Sequence, residues 1–179
     1  AQANGLLLWA FPEHLENEHG ALYAEGLAQF GAPLERLVFV RAANKTDAVW
    51  AIEQALAIPG AVAICTIPSS PQGMSLTASR RLILLTEKHR SRCVLVRFDK
   101  PSASAAWVRF SVQSAPSQAE ARELGAPAFD VLLTRNRSGP AGQSWRLIWN
   151  AQTHAFISSS QRDDERALDG DLAASAVNR

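Results

Sequence analysis

A chain of 179 residues with 47% hydrophobic content can bury a full core, and its composition is not that of a disordered or fibrous protein. No apolar run reaches the ~18–20 residues that span a bilayer, and the N-terminus lacks a signal-peptide pattern; a cytoplasmic protein with no membrane partner is expected. The net charge of +1 hides an asymmetry of about −4 over residues 1–74, +7 over 75–149 and −2 over 150–179.

The elements are legible in chain order. "GLLLWAF", from Gly5 to Phe11, is short, continuous and apolar, as a buried strand is. "HGALYAEGLAQFGAP" predicts a helix, with Leu22, Leu27 and Phe30 on one face and Gly31 and Pro33 as stops. "RLVFVRA", Arg36 to Ala42, is a second strand. Asn44 or Thr46 then caps a helix with Val49, Ile52 and Leu56 on one stripe, ended by Pro59 and Gly60. "AVAICTI" is a third strand, "SLTASRRLILLTEKHR" a third helix and "RCVLVRF" a fourth strand. Strands alternating with helices imply parallel βαβ units.

After Phe98 the pattern changes. "AAWVRFSVQS", "AFDVLLTRNRSG" and "SWRLIWNAQTHAF" follow without helical spacers, and "RNRSGPAG" reads as a hairpin loop. Antiparallel strands added to the parallel sheet are expected. The last residues are small and polar, the composition of a frayed tail. Cys65 and Cys93 lie inside apolar runs, as buried thiols rather than disulfide or zinc partners.

This order of elements invites a nucleotide-binding test, which the chain does not meet. A P-loop needs glycines where Phe39 and Asn44 stand before Lys45-Thr46, so that pair is read as a capped helix start. The third strand ends in Thr66, Ile67 and Pro68, where a magnesium-binding acid would be needed. Glu13 follows the first strand, at the rim where parallel sheets bind ligands. Without a phosphate cradle its expected role is structural, as a helix N-terminal carboxylate, with a relic catalytic base as the alternative. His14 and His19 lack further ligands, and neither a metal nor a cofactor is expected.

The remaining candidates are basic. Arg80 and Arg81 open the third helix, and Lys88, Arg90 and Arg92 close it, complementing the helix dipole. Arg97, Arg109, Arg135, Arg137 and Arg146 lie on or beside the later strands, near Trp107, Trp145 and Trp149. Together these residues could bind a protein partner or track a single-stranded nucleic acid with bases stacked on the rings; the alternative is a solvated sheet face over core tryptophans. The nearly neutral total charge favours a protein partner.

"LLLWAFPEH", "LYAEGLAQFG" and "ERLVFVRA" resemble the RecA-like core just after its P-loop helix, where a strand ends in a catalytic Glu followed by His, here Glu13 and His14. Within that superfamily the chain resembles the ImuA family of bacterial inducible mutagenesis proteins. "DAVWAIEQAL" and "SLTASRRLILLTEKHR" carry the likeness most specifically, joined by "WVRFSVQSAPS" and "FDVLLTRNRSGPAGQSWRLIW". The resemblance implies an α/β fold: a RecA-like parallel sheet with flanking helices, lacking the P-loop strand and extended by C-terminal antiparallel strands. The expected layout is a core over residues 1–157, truncated at its N-terminus, and a disordered tail over 158–179. The loss of an internal strand should leave exposed sheet edges.

The implied function is a non-catalytic accessory role in damage-induced mutagenesis and translesion DNA synthesis, within the SOS response and DNA repair. The implied partners are ImuB, a Y-family polymerase homologue, and an error-prone DNA polymerase, with RecA and single-stranded DNA as further candidates. The alternatives are a SulA-like inhibitor of cell division and a RecA-like ATPase completed by an N-terminal P-loop.

Overall fold

A computed structural model describes residues 5–68, 74–98, 103–117 and 125–158. The expected tail lies, from residue 159, outside the described residues. The chain divides between Ala106 and Trp107 into two compact units.

The first unit holds β1 (Leu7–Pro12), α1 (His14–His19), α2 (Ala24–Gln29), a 3-10 turn (Leu34–Arg36), β2 (Leu37–Ala42), α3 (Lys45–Leu56), β3 (Val62–Ile67), α4 (Leu76–His89) and β4 (Arg92–Arg97). Its four strands are all parallel, in the order β2-β1-β3-β4. Alternation along each strand sends Ala10, Ala63 and Cys65 to the face covered by α3. These small side chains let the helix approach closely, and Ile52 and Leu56 are fully buried against them. Each such burial is worth about 1.5–3 kcal/mol. The opposite face carries Leu7, Trp9, Phe39, Ile64 and Val94, which are half-buried or exposed.

Local signals set the helix ends. Asn44 Oδ1 accepts the Asp47 amide at 3.0 Å, and Ser75 Oγ accepts the Ala78 amide at 3.1 Å. Gly60, at φ 74°, turns the chain from α3 into β3. A side chain at Gly5 would meet the Gly60 carbonyl oxygen at 2.5 Å, so this corner requires close backbone approach. Buried Ser79 donates to the Leu76 carbonyl and accepts the Ala105 amide at 3.0 Å, seating residues 103–106 against α4.

The helix expected over residues 19–33 is not formed as one element. Gly20, at φ 85°, terminates α1, Tyr23 is extended, and helix resumes only for the six residues of α2. The glycine that looked like an interior residue is a breaker.

The second unit is a four-stranded antiparallel sheet of β5 (Val108–Ala115), β6 (Ala128–Asn136), β7 (Ser144–Asn150) and β8 (Ala155–Ser158), in sequence order. The antiparallel strands follow the parallel sheet as expected, and they pair among themselves as a second sheet. "RNRSGPAG" forms the β6–β7 hairpin, with Gly142 at φ 96° donating to the Leu133 carbonyl. "SWRLIWNAQTHAF" is two strands rather than one. Asn150 Oδ1 accepts the amides of Gln152 and Thr153, and this Asx turn reverses the chain before β8. Trp149 packs edge-on against Phe156 at 4.9 Å, and Phe156 against Phe129 at 5.8 Å, forming an aromatic cluster on one face in which Trp149 is buried.

The two thiols lie on neighbouring strands of the first unit, on the α3 side. Burial pushes Cys65 up to about 12, helped by the charge of Cys93, and burial alone does the same for Cys93.

Candidate partner or nucleic-acid interface

The C-terminal ends of β1, β2 and β3 form the rim where a parallel α/β sheet binds ligands. Glu13 follows β1, and its amide donates to the Ala42 carbonyl at 2.8 Å. It precedes α1 but makes no capping bond through its side chain, so the expected cap is occupied in position only. Its carboxylate lies 3.7 Å from Arg41, which reaches from β2 and donates to Glu16 at 2.6 Å. Glu13 thus belongs to a cluster of two acids around one arginine. The sequence pattern did not single out Arg41, because strand ends commonly carry a charge.

At the end of β3 the side chain in question is Thr66, which is buried. Its hydroxyl accepts the indole N–H of Trp9 at 2.9 Å. Trp9 also lies 6.5 Å from the Phe39 ring. The strand end therefore carries an engaged hydroxyl among apolar rings. Lys45-Thr46 starts a capped helix, with Asn44 and Asp47 bonded reciprocally. His19 packs on Phe98 at 4.6 Å, and no group of three His, Cys, Asp or Glu that could hold a metal exists among the described residues.

The candidate arginines divide between the two units. In the first, Arg80 is exposed, while Arg81 crosses from α4 to Glu53 of α3 at 2.6 Å. Glu53 is only 12% exposed, so this bridge braces two helices. Arg97 ends β4, half-buried and in register with Ile67.

In the second unit, Arg109 on β5 lies opposite Arg135 on β6, beside a register shift between Arg109 and Phe110. Arg137 stands over the Trp107 ring at 5.8 Å, and its amide donates to the Trp107 carbonyl. Arg146 donates two bonds of 2.8 Å to Asp130. Those bonds hold the Asp130 carboxyl below the usual carboxylate range and raise Arg146. With Ser111, Gln113 and Trp145 this pair lines a shallow depression of about 350 Å³. Trp149 is core, whereas Trp107 and Trp145 are partly exposed. The four arginines of this sheet thus have different environments: one is engaged by a carboxylate, one by an indole, and two face each other across strands.

Among solved structures, the chain is similar to the crystal structure of the RadB recombinase, with a TM-score of 0.54 and 14% sequence identity over 83% of this chain and 77% of that one. That likeness and the parallel sheet followed by antiparallel strands define an α/β protein of RecA-like fold. No protein-family model matches the chain. Protein ImuA from Caulobacter vibrioides, in strains NA1000 / CB15N and ATCC 19089 / CIP 103742 / CB 15, is 32% identical over 171 residues, covering 88% of this chain and 68% of the relative. The chain belongs to the ImuA family.

Proposed function

We propose that this chain is a non-catalytic accessory protein of damage-induced mutagenesis, acting in translesion DNA synthesis within the cytoplasmic SOS response. It binds an ImuB-like Y-family polymerase homologue and works with an error-prone DNA polymerase. RecA and single-stranded DNA are further ligands of the same reading. Family membership supports the process. The observation that carries the non-catalytic part is the end of β3, where Thr66 spends its hydroxyl on the Trp9 indole. A metal-bound nucleotide would need a carboxylate there. No helix among the described residues is long and apolar enough to cross a membrane.

The test combines chemistry and genetics. Purified protein is expected to give no ATP turnover, and deletion of the gene should abolish induced mutagenesis. Turnover that disappears in Glu13→Gln would favour the ATPase alternative. Division arrest on overexpression with mutagenesis unaffected by deletion would favour the SulA-like one.

A further inference from the structure

β5 is an edge strand. Among the described residues it pairs with β6 alone, and no strand stands on its other side. At eight residues it is longer than β8, the four-residue strand at the opposite edge. An edge strand keeps a row of unpaired N–H and C=O groups, and proteins blunt such edges by shortening them or by placing Lys or Pro on them. β5 carries neither. Instead Val108, Phe110 and Val112 are 45%, 54% and 59% exposed. The register shift at Arg109/Phe110 places its extra residue, Thr134, on the inner strand β6, so β5 itself runs unbroken.

Alternation gives this strand two unlike sides. On one, Phe110 lies opposite buried Leu133, and Val112 opposite Val131, which in turn lies opposite Trp145. The exposed row thus prolongs the apolar face of the sheet. On the other side, Arg109 lies opposite Arg135, and Arg137 stands over Trp107. Gln113 lies opposite Asp130, which Arg146 holds. The described residues of this side carry four arginines and one acid. Like charges directly opposite each other, as Arg109 and Arg135 are, weaken a strand pair, and a carboxylate beside them offsets that cost.

We propose that β5 receives an extended segment of the polymerase homologue as a further strand of the antiparallel sheet, with acids alternating with apolar residues. The acids fall beside Arg109, within reach of Arg135 and Arg137, and the apolar residues fall beside Phe110 and Val112. Backbone hydrogen bonds give such a strand its affinity, and the alternate side chains its specificity. This rests on the proposed function and adds the surface and the chemistry of its occupant. Charge selects among the occupants. A second copy of this chain paired along β5 would set two arginine-rich sides next to each other, and like charges brought together disfavour that pairing. A single-stranded nucleic acid would meet the arginines but leave the strand edge and the apolar row uncovered. An acidic protein strand answers all three.

The experiment titrates the full chain against the purified polymerase homologue and follows amide hydrogen exchange residue by residue. Binding should slow exchange at alternate amides of β5, the signature of a strand added at its outer edge. Val112→Lys, a charge of the kind that blunts natural edges, should weaken binding roughly tenfold or more. Its melting temperature should match the wild type, because the replaced side chain is exposed. Arg109→Glu with Arg135→Glu should weaken binding by about the same factor, with a loss that shrinks at high salt. Binding that Val112→Lys leaves intact, or that protects no amide of β5, overturns strand addition and leaves the functional reading standing. Protection of β5 that arises without the homologue and is lost on dilution gives the edge to a second copy, and protection by single-stranded DNA alone gives it to nucleic acid; either result overturns the acidic strand. Failure of the wild-type protein to bind the homologue overturns the functional reading, and the named occupant with it.

Discussion

The two units of this chain solve the same problem differently. In the first, one face of a parallel sheet is covered by α3 and α4, and charges lie on helices and strand ends. Its described residues carry nine Lys/Arg against eight Asp/Glu, many in bridges such as Arg41–Glu16 and Arg81–Glu53. In the second, an antiparallel sheet carries an aromatic cluster on one face, and its described residues hold four arginines and one acid, Asp130. Among the described residues the basic surplus lies on the antiparallel sheet, whose strands can face water and still be stable. Charge in the first unit braces helices and strand ends; in the second, Arg146 is held by Asp130 and Arg137 stands over Trp107.

Core substitutions should produce the largest effects, and each should be felt within its own unit. Ile52→Ala is expected to cost about 2–5 kcal/mol and Trp149→Ala about 3–5 kcal/mol in urea unfolding. Hydrogen exchange should rise in β1 and β3 for the first and in β6 and β7 for the second. Equal exchange changes in both sheets from either substitution would dissolve the distinction.

Backbone packing comes next. Gly5→Ala drives a methyl group into the Gly60 carbonyl oxygen, 2.5 Å away, and should cost about 1–3 kcal/mol. Gly139→Ala meets only the far end of the Asn136 side chain, at 3.4 Å. It should cost less than half as much.

The arginines of the second unit can be tested as a binding surface. Arg135→Ala with Arg137→Ala should weaken the polymerase-homologue complex about three- to tenfold, chiefly through the association rate, and leave single-stranded DNA binding unchanged. The reverse pattern, with a shallower salt dependence for DNA, would assign the surplus to phosphate contacts.

The smallest effects concern the bridges. Arg81→Ala strands a largely buried Glu53 carboxylate and should cost about 1–2 kcal/mol. Arg146→Ala should change melting less than that and only at low salt, since both partners are exposed. The sign of the pH effect follows from the lowered Asp130 carboxyl. Its contribution is present above the ordinary Asp value, around 4, and is lost as pH falls through the lower folded value. A melt whose acid limb is unchanged in Arg146→Ala would remove the bridge from the stability account.

How much of this was legible depended on local signals. The βαβ order was readable because apolar runs of strand length alternate with capped helices, and Asn44, Ser75 and Gly60 act where they stand. The break at Gly20 was not legible because the periodicity of "ALYAEGLAQF" outweighs one glycine, which stands at φ 85°. The Asx turn at Asn150 was not legible because Ile148 and Trp149 before it and Phe156 and Ile157 after it read as one continuous strand. For the candidate site, residue types were legible but engagement was not. Nothing in the sequence says that Arg81 belongs to Glu53, that Arg146 belongs to Asp130, or that Thr66 accepts from a tryptophan fifty-seven positions earlier.

The buried thiols have a consequence beyond packing. Thiolate is the form that reacts with peroxides and alkylating agents, and the raised pKa of each thiol disfavours it, with Cys65 also buried and Cys93 half-buried. The single methionine, Met74, is only 5% exposed. The folded chain therefore offers little accessible sulfur to oxidants or electrophiles. Its sulfur chemistry becomes a reporter of folding: alkylation of Cys65 and Cys93 should be slow in the native protein and rapid once the parallel sheet opens.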